Sequence, residues 1–466
     1  MKFRSALLIP ILIAVHACGG GGSADVDENL TIKGGRTAEP SGQSGFDFRE
    51  FRMGAGVVQM LPIETRPLRN GNEEAPITSI VSDVDFVKIV ADYVGIPYDI
   101  FSKGSEISED HAWTKVVREL LSDMSKVERP LLLQLGLARQ NMVGAASDED
   151  GTLKVDLTWA PSCYDLSDPE AKGIGDAYVN YTMWMVREFK PAYVVNFAEA
   201  NIFYAKCGGA GAAWNALAAI QRRAYEAIKA WDPTIIVFAS FNLEALYGDK
   251  LDGWNEEQYQ GISLMAYDSF AMASYPFGIR NEEGVFATPY DLPADYFSRV
   301  LGFHPDEKRL SVVETGWNNV SISVGEENEC FENFPYSDQS FAADYFEFVL
   351  NSATSYQFLL LTWFSSLDVL PKNVVDTCYV RTDGRDPESD ACMQDYWCLA
   401  VNQAKNAVAI PGATALFSEV LLKAFGTMGL KEYDGTSRGL LLDRWREVLA
   451  LPLQDETIVV SQKTNP

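Results

Sequence analysis

The chain has 466 residues, 47% of them hydrophobic and 22% charged, and its formal net charge at pH 7 is -27. So acidic a surface argues against nucleic acid as a partner, because phosphate binding needs a basic face. It disfavours acidic polysaccharides for the same reason, and with seven cysteines, three histidines and no C-x-x-C pair the chain has little material for a zinc site.

Met1-Lys-Phe-Arg4 leads into an almost wholly apolar run from Ala6 to Val15, followed by Ala17-Cys18. A basic head, a short apolar run and a small residue read as a secretion signal over residues 1–17. The run is too short to span a bilayer as a helix. Val15-His16-Ala17-Cys18 resembles a bacterial lipobox, so Cys18 is expected to be lipidated and to tether the exported chain to the cell envelope, at the outer membrane. Membrane contact is expected through Cys18 alone. Residues 18–45 open with Gly19-Gly-Gly-Gly-Ser23 and stay polar; they cannot build a core and read as a flexible tether. Six cysteines remain beyond Cys18: Cys163, Cys207, Cys330, Cys378, Cys392 and Cys398. An even number in an exported chain predicts disulfides, with neighbours such as Cys392 and Cys398 a natural pair. Acidic loops could take calcium, but no EF-hand pattern supports it, and no cofactor is expected.

Residues 46–466 alternate strand-like and helix-like segments without an internal repeat, and a monomeric body is expected. The predicted strands are Gly56–Leu61, Tyr98–Phe101, Leu131–Gly136, Ala192–Glu199, Thr234–Ala239, Ser269–Tyr275, Leu310–Val313 and Phe358–Trp363. Predicted helices cover Ser82–Val94, Glu109–Val127, Asp176–Phe189, Trp214–Trp231, Ala294–Leu301, Phe341–Ser352 and Thr414–Phe425. Eight strands with helices between neighbours predict an α/β fold, a single (β/α)8 TIM barrel with loop insertions.

In such a barrel, groups at the C-terminal ends of strands project into the mouth. Two glutamates stand there, Glu199 after the fourth strand and Glu314 after the seventh. Either could be a buried salt-bridge partner. Together they can form a glycosidase pair, in which one ionised carboxylate attacks the anomeric carbon and one protonated carboxyl donates to the leaving oxygen. Sugar rings stack on aromatic side chains, which brings in Trp317 and Trp363 at strand ends, with Trp159, Tyr204 and Trp254 on loops. Asn201, Asn242 and Asn318 could hydrogen-bond hydroxyls.

This order of carboxylates resembles the large (β/α)8-barrel clan of retaining glycoside hydrolases. Val312-Val-Glu-Thr-Gly-Trp317 is similar to the nucleophile segment of its arabinogalactan endo-β-1,4-galactanases, Ser274-Tyr-Pro276 to their sixth-strand ending, and Phe197-Ala-Glu-Ala-Asn201 falls where the clan carries its acid/base. The resemblance implies Glu314 as nucleophile, Glu199 as acid/base, Tyr275 orienting the nucleophile, Trp363 as the platform under the cleaved sugar, and a neutral substrate such as a β-galactan. One departure stands out: Ala198 occupies the position where the clan usually has an Asn for the sugar 2-hydroxyl. Ala198 is also the main support for the alternative, a catalytically inactive glycan-binding surface lipoprotein. Gly209-Ala-Gly-Ala-Ala213 mimics a dinucleotide fingerprint, but Cys207 and several other residues separate it from the preceding strand.

Overall fold

A computed structural model describes residues 47–57, 81–90, 96–104, 106–125, 127–136, 144–147, 153–156, 169–248, 250–281, 286–302, 309–326, 329–332, 336–368, 423–432 and 434–454, with single residues 45, 375 and 420. Eight strands close into a parallel barrel: β1 Arg52–Val57, β2 Phe86–Val90, β3 Leu131–Leu135, β4 Tyr193–Asn196, β5 Ile236–Asn242, β6 Ser269–Ser274, β7 Leu310–Thr315 and β8 Leu360–Trp363. Closure runs through β1 and β8, where Arg52 pairs with Leu360 and Ala55 with Trp363. The longer helices are α1 Ala112–Met124, α2 Pro169–Phe189, α3 Ala212–Trp231, α4 Gln339–Ser355 and α5 Leu440–Leu449.

Strand alternation sorts the apolar residues into two cores. Phe86, Leu132, Val195, Phe238, Ala271 and Leu360 fill the barrel interior. Their sequence neighbours, such as Val87, Leu133, Val194 and Leu361, face outward and pack with residues of the helical layer, including Tyr178 and Phe346. Full burial of each Val, Leu or Phe side chain among them contributes roughly 1.5–3 kcal/mol.

The second strand differs from expectation. It is Phe86–Val90, inside the segment read as a helix, and Tyr98–Phe101 is a single helical turn. Phe86-Val-Lys-Ile-Val90 is a short β-branched run whose central lysine mimics the polar face of a helix. Pro97 directly precedes the helical turn, which packs Tyr98 and Phe101 against Tyr181 at centroid distances of 6.0 and 5.7 Å. β1 starts four residues early, and residues 58–61 of the expected strand lie outside the described residues. Ala294–Leu301 is reduced to the short 3-10 turn Ser298–Gly302. Of the helix expected over 414–425, only residues 420 and 423–425 are described, all helical. The signal, the tether up to residue 44, Trp159, Cys163 and the Cys392–Cys398 pairing also lie outside the described residues.

An unanticipated strand, Gly429–Lys431, pairs in parallel with Ser365–Leu367, and α5 packs behind it. Trp445 of α5 lies against Phe346 of α4 and donates to the Asp83 carbonyl at 2.7 Å. Among the described residues no helix is long and apolar enough to cross a membrane.

Candidate active site

The β4 end is bent sharply. Phe197 and Glu199 both have left-handed backbone, at φ 75° and 52°, which costs a non-glycine residue about 1–2 kcal/mol each. Two anchors hold the bend. Asn196 accepts from the Tyr178 hydroxyl at 3.0 Å and donates to the Gln221 carbonyl at 3.0 Å. Phe197 turns outward onto Tyr178, centroids 4.6 Å apart. Glu199 is 2% exposed and immediately precedes the helix Ala200–Lys206. Its Oε1 accepts from Asn242 Nδ2 at 2.8 Å.

Asn242 ends β5 and caps the next turn, its Oδ1 accepting from the Ala245 N–H at 2.7 Å. Its side chain thus holds Glu199 with one end and the backbone with the other. Asn201 is a correction to the substrate-binding expectation. It is buried, its Nδ2 donates to the Asn242 carbonyl and to Gln258 Oε1 at 2.9 and 3.0 Å, and its Oδ1 accepts from the Asn242 N–H at 2.7 Å. Asn201 therefore braces Asn242 and has nothing left for a sugar.

Glu314 lies on β7 at a register shift against β6, where Met272 pairs with Val312 and Ala273 with Glu314. Such a bulge re-aims a side chain. Lys88 Nζ lies 3.3 Å from Glu314 Oε2 and donates to the Val313 carbonyl at 3.0 Å. Gln134 Nε2 donates to the same Oε2 at 3.2 Å. Tyr275 is buried directly after β6, and its hydroxyl interacts with the Glu314 carboxylate without reaching full hydrogen-bond geometry.

The sequence reading missed Lys88 and Gln134. Each is a lone polar residue in an apolar strand, on the same face as the interior residues Phe86 and Leu132 two positions earlier. That spacing was the available signal once the strand was recognised.

The electrostatics separate the two carboxyls. Burial first, then the charge of Glu314, pushes the Glu199 carboxyl up to about 8, with the Asn242 hydrogen bond opposing the shift. Glu199 is therefore protonated at neutral pH. Glu314 instead faces an ammonium and an amide donor. The Lys88 pKa is lowered, by burial above all, against the raising influence of the Glu314 charge, its hydrogen bond to Lys88 and the charge of Glu199. Lys88 is thus tied to both carboxyls. Among the described residues Gln134 Oε1, Ser240 Oγ, the Tyr275 hydroxyl and Thr362 Oγ1 are buried polar atoms that complete no hydrogen bond. Native proteins have few of these, and here Gln134 and Tyr275 lie directly beside Glu314.

The two tryptophans do not line the mouth, a second correction. Trp363 is fully buried on the outer face of β8, against Tyr345 and Phe346 of α4, and its indole N–H donates to the Met428 carbonyl at 2.6 Å. Trp317 is 2% exposed, packs on Phe277 and Tyr345, and donates to Ser337 Oγ at 3.2 Å. Both belong to the outer core. Tyr204 packs edge-on to Trp214, Trp254 edge-on to Tyr247, and Asn318 donates to the Val320 carbonyl. Among the described residues no cluster of three His, Cys, Asp or Glu could hold a metal ion.

No family model and no curated protein matches the chain. Solved structures that it resembles include an exo-β-1,4-mannosidase from an Opitutaceae bacterium, at TM-score 0.47 and 14% identity over 89% of this chain and 63% of that one. A calcium-binding mutant of Bacteroides uniformis β-glucuronidase 2 gives 0.44 and 12% over 86% and 34%. The Ignisphaera aggregans GH53 catalytic domain gives 0.43 and 14% over 86% and 96%. The chain thus spans about a third of the glucuronidase and less than two thirds of the mannosidase. Likenesses this distant carry nothing about activity.

Proposed function

We propose that this chain is a glycoside hydrolase acting on a neutral poly- or oligosaccharide by retaining double displacement. The observation that carries the reading is the pair of strand-end carboxyls: a buried Glu199 held by Asn242, whose pKa burial and the charge of Glu314 push up, and a Glu314 carboxylate held by Lys88 and Gln134. Glu314 attacks the anomeric carbon as Glu199 passes its proton to the departing glycosidic oxygen. A covalent glycosyl-enzyme forms and the leaving sugar departs. Glu199, now ionised, takes a proton from water, which displaces Glu314 and restores both groups. General-acid help of this kind contributes about 10²- to 10⁴-fold. Tyr275 orients Glu314. Gln134 Oε1, which completes no hydrogen bond among the described residues and belongs to a side chain on Glu314, suits a hydroxyl-rich ligand. The sequence resemblance makes a β-galactan the first substrate to try.

The deciding experiment is a panel of β-galactans, mannans, glucans and xylans given to wild type, E314Q and E199Q, with product stereochemistry followed by NMR. Sugar release with retained configuration, abolished in E314Q, is expected. Inverted product rules out double displacement. Glycan binding without release by wild type, matched by E314Q, rules out the enzyme and supports a glycan-binding lipoprotein, the reading favoured by Ala198, whose side chain lies in the interior core instead of reaching a sugar. Export and lipid anchoring at Cys18 remain part of the proposal; the disulfide-bonded Cys207 and Cys330 support an oxidising compartment.

A further inference from the structure

Glu244 is a further buried carboxyl close enough to act on Glu199, and the mechanism above does not use it. It lies in the turn Leu243–Tyr247 directly after β5, two residues beyond Asn242. Its Oε1 accepts from Ser274 Oγ at 2.8 Å, from the Tyr275 N–H at 2.8 Å and from the Tyr296 hydroxyl at 2.5 Å. Oε2 is buried and has no hydrogen-bond partner among the described residues. Burying a carboxyl is costly, and an exposed helix start would need none. The three donors converge on one oxygen at the point where β6 delivers Tyr275. Tyr275 in turn presents its hydroxyl to Glu314.

We propose that Glu244 is a positioning residue for the nucleophile: by holding the Tyr275 backbone it sets the Tyr275 hydroxyl against Glu314. One turn after β5 then serves both halves of the reaction, Asn242 holding Glu199 and Glu244 holding Tyr275. The charge of Glu244 is also among the influences that raise the Glu199 pKa, so the two halves are linked electrostatically. The proposal rests on the hydrolase reading for its kinetic consequences, though not for its geometry.

The test uses the full chain and the best substrate of the glycan panel. E244A is expected to lose about tenfold to a hundredfold in kcat with KM within about twofold, since a misplaced orienting group is felt at the reacting centre. E244Q, whose amide oxygen can accept from the same donors, recovers most of that rate. E244A/Y275F is no slower than Y275F, because both changes remove one chain of contacts. An E244A kcat within about twofold of wild type, no recovery in E244Q, or losses that multiply in the double variant overturns the proposal. If E244A does not fold, S274A/Y296F removes the two side-chain contacts that fix the Glu244 carboxyl, so that its hold on the Tyr275 N–H loosens. A several-fold loss in kcat is then expected, and an unchanged kcat overturns it. A substrate-free readout separates this proposal from the hydrolase reading. In a crystal structure of E244A, or of S274A/Y296F in its place, the Tyr275 hydroxyl is displaced from Glu314 relative to wild type. An unmoved Tyr275 overturns the positioning role, whereas a displaced Tyr275 in a protein that releases no sugar sinks only the hydrolase.

Discussion

Glu199 acts as the proton donor only while it holds its proton. The basic limb of kcat/KM against pH is therefore expected to fall with a midpoint near 8, the value set by burial and by the charge of Glu314. Stability carries the same signature. From about pH 4.5 to about pH 8 the folded state keeps a proton that the unfolded chain has released, so this group destabilises the fold increasingly as pH rises through that window. E199Q removes the effect, and its Tm relative to wild type should climb between pH 5 and pH 9; a constant difference would show that Glu199 titrates normally. Lys88 is the complementary case. K88M removes the cation 3.3 Å from the Glu314 carboxylate, and kcat/KM is expected to fall by about a hundredfold at the optimum, an effect the size of losing one preorganised charge contact. A profile unchanged in K88M would remove Lys88 from the site. These roles were only partly visible in the sequence. Glu199 and Glu314 showed themselves as carboxylates ending apolar runs, whereas Lys88 and Gln134 sat inside such runs and acquire meaning only from the direction in which their strands face.

At the scale of elements, β1 and β2 show how the barrel keeps its interior full. Gly54 pairs with Phe86, and a Cβ on Gly54 would meet the Phe86 ring at 2.2 Å. The ring fills the space a side chain would occupy and packs on Tyr193 at 5.6 Å. G54A is expected to cost about 1–3 kcal/mol by overpacking, read from urea unfolding, and Phe86→Leu in the same chain should recover part of it. Equal stability of G54A and wild type would mean that the ring moves freely. The contact also explains why β2 reads as helix from the sequence. Phe86-Val-Lys-Ile-Val90 has too few residues for periodicity to separate strand from helix. Only pairing with Gly54 on one side and Leu131–Gln134 on the other decides between them.

Over the whole molecule, the C-terminal segment locks the barrel seam. Lys431 and Arg446 lie 2.7 and 2.6 Å from opposite oxygens of Asp83, just before β2. The residues around Leu453 pair with Arg49, which also forks onto Asp85. Trp445 sits fully buried at the centre of this arrangement. Trp445→Ala should cost about 3–5 kcal/mol, the usual cost of emptying a large aromatic site. A loss below about 1 kcal/mol in urea unfolding would mean that α5 is an appendage to the barrel.

The sequence by itself determined the barrel class and the two strand-end carboxylates, because fully buried parallel strands write themselves as unbroken apolar runs and the residue ending such a run must face the mouth or the helices. It could not determine which aromatic side chains reach that mouth. Trp363 and Trp317 read as sugar platforms, yet both point into the helical layer, because strand register and the bulge beside Glu314 decide facing one residue at a time. Tertiary structure alone brought Lys88 and Gln134 to Glu314, Asn242 to Glu199 and Glu244 to Tyr275. Each of those contacts joins residues more than thirty positions apart, and no local pattern in the chain encodes them.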